Sequence, residues 1–405
     1  MANNPCAPES PFNASMLPAE PFPLITIQPA VDFNNAWVAL LLEGERPLDG
    51  ATLAHLLHDC RLAEALDAFA CVVTVDPARI DPARAAGLPR DRVVLAIPAA
   101  TGSDPACHPA LAALQAAGFA LMAVGFPAAD APLFPGIASL AVACPGFGMP
   151  AGFAEWLRRL SGPHLALGTT EHVCPGFCKF HWLAGHYAGH ASPAFKGDPT
   201  ARSLLLKLLA LVARDADTAE IEALIKRDPN LSYQLLKLVN SVAFSPARQI
   251  GNFGQAIAML GRRQLQRWLQ LLLYTRAQGS DAASPLLPRA ALRAGLMEAL
   301  ARRTGMAHEA CDQAYMVGMF SLLDALFGEP LAKIIAPLHL PDEVAGALTA
   351  GAGTLGRLLT LVVASEGQPT PALAGALAAA GIAPAAWAAD LVGAVRWAVL
   401  VSKEA

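Results

Sequence analysis

The densest chemistry in the chain lies in one short stretch, where His172, Cys174, Cys178, His181, His186 and His190 collect six soft or borderline ligands. Thiolates and imidazoles are the groups that hold zinc. The spacings Cys174-x3-Cys178 and His186-x3-His190 would place each pair within reach of one tetrahedral ion. Only seven residues separate the pairs, fewer than a zinc finger uses. The alternative is an ordinary strand and loop that binds nothing, and on that reading no metal and no other cofactor is expected. His58-Asp59 is the one His-Asp dipeptide in the chain, and its setting predicts a solvated helix face rather than a ligand pair.

A second group with chemical potential is Arg262, Arg263, Arg267 and Arg276 around Trp268, since basic side chains interleaved with an aromatic ring can read nucleic acid. The helical spacing argues otherwise. Trp268 falls on the stripe of Leu260, Leu265 and Leu272, which makes it a core residue and leaves the arginines as the outer charged face. The formal net charge of −4 supplies no wide basic field, so nucleic acid is not an expected partner. Asn240-Ser241 closes the helix before this one, where a cap or a polar contact are the two readings and the cap is expected.

These residues must be carried by more than one domain, because 405 residues exceed an ordinary single core. From Pro23 to about Leu167, short apolar runs (Leu24–Ile27, Cys71–Val75, Val93–Ile97, Ala120–Val124, Leu140–Val142, Leu165–Leu167) alternate with helical stretches such as Ala51–Phe69 and Pro109–Ala117. Continuous apolar runs suit parallel strands covered on both faces, and the rhythm predicts an α/β domain of barrel type. After Pro193 the pattern becomes a series of amphipathic helices, placing a seam at residues 194–200. Asp228-Pro229 supplies an N-cap and a first-turn proline for a helix with Leu231, Leu235, Leu238 and Val239 on one face. A longer helix is expected from Phe253 to Thr275, then a polar interruption over Ser280–Pro288, then helices from Arg289 to about Ser365.

Mean hydropathy is +0.41, a value that comes from abundant Ala and Leu. The longest charge-poor stretch, Gln368–Ala389, is broken by Pro369, Pro371, Gly375, Gly381 and Pro384, so no membrane span and no membrane partner is expected. Residues 1–20 lack the charged start and apolar centre of a secretory signal and predict a disordered tail. Eight scattered cysteines without such a signal predict reduced thiols and a cytoplasmic location.

The stretch that begins at Arg227, RDPNLSYQLLKLVNSVAFSPARQIGNFGQAIAMLG, closely resembles the HDOD family. The matching positions are Asp228, Pro229, Leu231, Ser232, Leu235, Leu236, Asn240 and Ser241, followed by Ala256, Leu260 and Gly261. The likeness continues through Leu265–Tyr274 and Ala314–Leu326 and implies an all-α HDOD domain over residues 198–395. HDOD domains resemble metal-dependent HD phosphohydrolases without their ligands and act as output or interaction modules. The residues agree: only His308 and His339 lie beyond residue 200, and neither precedes an aspartate.

Residues 21–194 resemble EAL phosphodiesterase domains, a TIM-like barrel, at landmarks. Gln28–Asp32 (QPAVD) is similar to that family's opening strand. The eponymous glutamate then falls at Ala39, with the following arginine replaced by Glu43; the next falls at Ala96; the paired aspartates fall at Val124 and Gly125, ahead of Phe126. Ser139–Ala143 lacks the lysine and a further aspartate, and the late QG appears as Ala184-Gly185. Hydrolysing a phosphodiester through metal-activated water needs carboxylates at strand ends, and alanine coordinates nothing. The resemblance therefore implies a degenerate, non-catalytic barrel, not an enzyme, serving as a dimerisation or sensing platform. The HDOD domain would then signal to an unidentified protein partner, with a homodimer expected through the barrel. The alternative is a cyclic di-GMP receptor that binds without hydrolysis.

Overall fold

Two neighbouring apolar segments with only residues 32–36 between them cannot cross over to become parallel, so they must fold back as a hairpin. This is how the fold begins in a computed structural model of the chain, which describes residues 21–32, 36–67, 69–82, 84–127, 132–144, 153–169, 180–185, 199–214, 216–239, 253–275 and 286–404. Strands β1 (Ile25–Val31) and β2 (Trp37–Gly44) pair antiparallel. They are followed by β3 (Ala70–Thr74), β4 (Val93–Pro98), β5 (Ala120–Val124), β6 (Ile137–Ala143), β7 (Leu165–Leu167) and β8 (Trp182–Ala184), which close a barrel in sequence order. The expectation of parallel strands holds from β2 to β8 and fails at β1, which is antiparallel to both its neighbours.

Helices α1 (Gly50–His58), α2 (Leu62–Leu66), α3 (Ala99–Ser103), α4 (His108–Ala116) and α5 (Phe153–Arg159) lie between the strands. The stretch Ala51–Phe69, expected as one helix, is two. The chain turns at Arg61, held in the left-handed region at φ 58°. Asp49 caps α1 by accepting the Thr52 backbone N–H at 2.8 Å.

The second half is helical throughout its described residues: α6 (Pro199–Ala213), α7 (Thr218–Ile225), α8 (Pro229–Val239), α9 (Phe253–Thr275), α10 (Leu286–Arg303) and α11 (His308–Phe320) come first. They are followed by α12 (Leu323–Phe327), α13 (Leu331–Ile335), α14 (Asp342–Ala350), α15 (Gly353–Ala364), α16 (Pro371–Ala379) and α17 (Pro384–Glu404). Asp228 caps α8 as expected, accepting the Leu231 N–H at 3.0 Å, and Leu231, Leu235 and Val239 are fully buried. The long helix α9 is not continuous: Gly261 sits at φ 74°, ψ 156°, a conformation that glycine alone adopts freely, and the two halves meet there at a kink. Trp268 packs against the core only in part. Helix α10 starts inside the expected polar interruption, and α17 continues beyond residue 395.

One consequence of the hairpin start organises the whole molecule. A β1–β2 hairpin contributes no crossover helix, so the outer face of β1 needs a cover from elsewhere. The last helix supplies it: α17 packs against β1 and α2, with Trp387 and Leu391 joining Ile25 and Ile27 in one apolar core. Trp387 is fully buried and donates its indole N–H to the Ile25 carbonyl at 2.8 Å. Arg396 adds an ion pair with Glu64 of α2 at 3.5 Å. Pro384–Val401 is long and apolar enough to cross a membrane by length and composition, as is Asp342–Ala364. In the fold the first is this packing helix, and the second is interrupted at Gly351 and Gly353, both at positive φ.

Candidate functional site

Alternation along each strand divides side chains between the outer core and the barrel interior. The interior is a separate apolar cluster built from Ala30, Ala39, Leu41, Val72, Val94, Ala96, Met122, Ala141, Leu165 and Ala184, with Val124 packed against it. Four positions that the EAL resemblance singled out, Ala39, Ala96, Val124 and Ala184, thus belong to one surface. Ala30 pairs with Ala39 on one side and Ala184 on the other. Gly125, a fifth position singled out by that resemblance, is at φ +88°, and a Cβ there would meet nothing within 4 Å.

Glu43 is the only charged residue in the eight strands. It falls two residues after inward-facing Leu41, and pairs across the ladder with Thr26. Burial pushes its carboxyl above the usual carboxylate range, and the side-chain amide of Gln368, which donates to Glu43 Oε1 at 3.5 Å, pulls the other way. Among the described strand residues this single carboxylate, opposite a threonine, falls short of the multidentate oxygen cage that holds divalent cations for phosphodiester hydrolysis. Gln28 is half-buried on β1.

Other histidines of the barrel have structural partners. His164 is buried, and its Nδ1 accepts the Leu140 backbone N–H at 3.2 Å, while burial lowers its pKa. His181 Nδ1 in turn accepts the His164 N–H at 3.2 Å. His172, Cys174, Cys178, His186 and His190 lie outside the described residues, as do Asn240, Ser241, Arg276 and the tail 1–20. Among the described residues no group of three or more His, Cys, Asp or Glu is placed to hold a metal ion. His58 and Asp59 are exposed, and Asp59 pairs with His55, four residues earlier, as a solvated helix face would.

In the helical half the arginines of α9 are engaged within the fold. Arg267 pairs with Glu298 at 2.9 Å and Asp312 at 3.0 Å, and lies over the Tyr315 ring at 4.1 Å. Arg263 reaches Asp312 at 2.7 Å and His308 Nε2 at 2.7 Å. His339 stands apart from this group, just after the 3₁₀ turn Ala336–Leu338.

The strongest polar feature of this half was not anticipated from the sequence. Arg289 and Arg293, one turn apart on α10, both donate to Glu366, which follows α15. Arg293 also donates to Ser321 Oγ at 2.9 Å. All three charged groups are buried. Burial alone would raise the Glu366 carboxyl, but Arg293 and Arg289 outweigh it and hold it below the ordinary value. Next to the cluster, Tyr274 donates its hydroxyl proton to the Met319 carbonyl. Its signal in the sequence was two arginines spaced i, i+4 inside the apolar run LLPRAALRAGLM. Guanidinium and carboxylate close one another's valences here, so the cluster fixes α10, α11 and the end of α15 rather than offering a reactive group.

Comparison with known proteins identifies the first part of this half. The HDOD domain family model matches residues 199–328, so an HDOD domain is present in the chain. The chain is 36% identical over 141 residues to "Uncharacterized protein YuxH" of Bacillus subtilis, covering 34% of each. It is 33% identical over 148 residues to "Cyclic di-GMP phosphodiesterase CdgJ" of Vibrio cholerae, covering 36% of this chain and 34% of that protein. The match thus spans about a third of the length of these curated relatives. Among solved structures, the manganese and cyclic di-GMP complex of Klebsiella pneumoniae BlrP1 is similar over 42% of this chain and 55% of that one, at 16% identity and a TM-score of 0.27, too low to argue from.

Proposed function

We propose that this protein is a non-catalytic signalling protein in which a degenerate EAL-type barrel is the platform and the HDOD domain is the output. The single observation that carries this reading is the barrel interior: among the described residues the eight strands bring one carboxylate, Glu43, to a face whose other side chains are apolar or uncharged, with Thr26 opposite it and Gln28 two residues further along β1. A phosphodiesterase barrel needs several carboxylates at its strand ends to hold cations and orient the attacking water. Substituting Ala39, Ala96 and Val124 for them removes the means of catalysis and keeps the means of folding. The HDOD domain, and a relative named as a cyclic di-GMP phosphodiesterase, support a place in signalling.

Coupling between the halves has a physical basis on this reading. Helix α17 is core to both, and Gln368 touches Glu43 at the barrel, so a change in one half has a path to the other. The partner is a protein reached through the helical half, and self-association through the barrel is part of the proposal.

A second reading, a receptor that binds cyclic di-GMP without cleaving it, is favoured by the relative's name alone. Calorimetric titration of the purified full chain with cyclic di-GMP in magnesium separates the two. No saturable heat up to high micromolar ligand is the expected result; a saturable isotherm would make the protein a receptor and direct mutagenesis to Gln28 and the strand ends.

A further inference from the structure

Helix α6 is apolar on two faces. Leu205, Leu208, Leu209 and Val212 are buried in the core. Leu206, Ala210 and Leu211 are only half-buried and line an open trough of about 610 Å³, together with Leu224 of α7 and Pro337. The lining positions on α6 run Ser203, Leu206, Lys207, Ala210, Leu211 and Arg214, the i, i+3, i+4, i+7 spacing of a helix-packing seam. At 1.5 Å per residue that seam is about 16 Å long, three helical turns.

Its rim is basic. Arg202, Lys207, Arg214 and His339 surround the apolar floor, and no carboxylate is among the lining residues. Arg202 and Arg214 also reach Glu329 at 3.1 Å and Glu220 at 2.7 Å, part-exposed pairs that are weak in water. Lys207 and His339 are exposed, and among the described residues neither makes a hydrogen bond or an ion pair. His339 is held in the left-handed region, at φ 49°, ψ 47°.

We infer that this trough is the docking site of the partner protein, and that the partner presents an acidic amphipathic helix: an apolar stripe at i, i+3, i+4 and i+7 flanked by Asp and Glu. The inference rests on the output reading of the HDOD domain given above. The apolar floor provides the affinity, and the exposed Lys207 and His339 select the sign of the partner's charge and its register.

The test uses the full chain and two labelled synthetic peptides of about four helical turns, each with leucines on one stripe, one carrying glutamates and the other lysines on the remaining face. Fluorescence anisotropy should show binding of the acidic peptide and at least tenfold weaker binding of the basic one. Lys207→Glu, a surface change that leaves the fold intact, should weaken the acidic peptide about tenfold and strengthen the basic one; Leu206→Glu should abolish both. Equal affinity for the two peptides, or indifference to Lys207→Glu, would overturn the proposal. So would a change from dimer to monomer on Leu206→Glu in light scattering, which would make a second copy the occupant. None of these outcomes depends on cyclic di-GMP turnover, so this site and the non-catalytic reading can fail separately.

Discussion

Trp387 and Ile25 are 362 residues apart in the chain and joined by a 2.8 Å hydrogen bond from the indole N–H to the strand carbonyl. The bond satisfies a buried donor and locks the last helix onto the first strand, where the hairpin geometry leaves an outer face without a crossover helix of its own. The barrel and the helical half share this helix as core, so neither is complete alone.

Replacing Trp387 with alanine should therefore cost about 3–5 kcal/mol, the range for deleting a fully buried large aromatic side chain. Denaturant unfolding measures the loss, and hydrogen exchange across Ile25–Val31 locates it. Faster exchange in β1 is expected, although the substitution is in the other half. An effect confined to α16 and α17 would argue that the halves are separable.

Glu366 should behave as the keystone of its cluster. Glu366→Ala leaves Arg289 and Arg293 buried without a counter-charge and should destabilise by about 3–5 kcal/mol. Its carboxyl is held below the ordinary value of 4.5, so its contribution is present above that pH and is lost as pH falls through the depressed folded value. Acid titration of the wild type, followed by circular dichroism, should show a loss of stability in that window that the variant lacks.

Glu43 should show the opposite sign. Its folded pKa lies above 4.5, so ionisation costs stability; the favourable contribution is full below 4.5 and disappears as pH rises through the raised folded value. Glu43→Gln should raise the melting temperature at neutral pH and make little difference below 4.5. A variant less stable than wild type at neutral pH would refute the assignment.

Gly318 marks a close approach of α10 and α11: a Cβ there would stand 2.5 Å from the Ala294 backbone. Gly318→Ala should cost about 1–3 kcal/mol through overpacking between α10 and α11. Thermal unfolding of this variant beside Gly375→Ala, where nothing lies within 4 Å, separates packing from the general effect of losing a glycine.

What could be read from the sequence was what repeats locally. Apolar runs located four of the barrel strands, β3, β4, β5 and β7, to within a residue, and the Asp228-Pro229 cap and its leucine stripe fell where α8 begins. Ala39, Ala96, Val124 and Ala184, the positions that the EAL resemblance singled out, came together on the barrel interior because strand alternation is a local property. The reversed direction of β1 was not read, although the short connection over residues 32–36 carried the signal. The kink at Gly261 hid inside an unbroken helical pattern. The covering of β1 by α17 and the convergence of Arg289 and Arg293 on Glu366 join distant segments, and no local period encodes such contacts.

Whether the barrel is catalytically inert is read most directly by a hydrolysis assay: purified full-length protein, cyclic di-GMP, and manganese or magnesium, with linear dinucleotide product followed by chromatography. A non-catalytic barrel gives no product above the rate without protein, and no change on Glu43→Gln. Metal-dependent turnover that Glu43→Gln abolishes would contradict it, because the barrel's one strand carboxylate would then be working as a ligand.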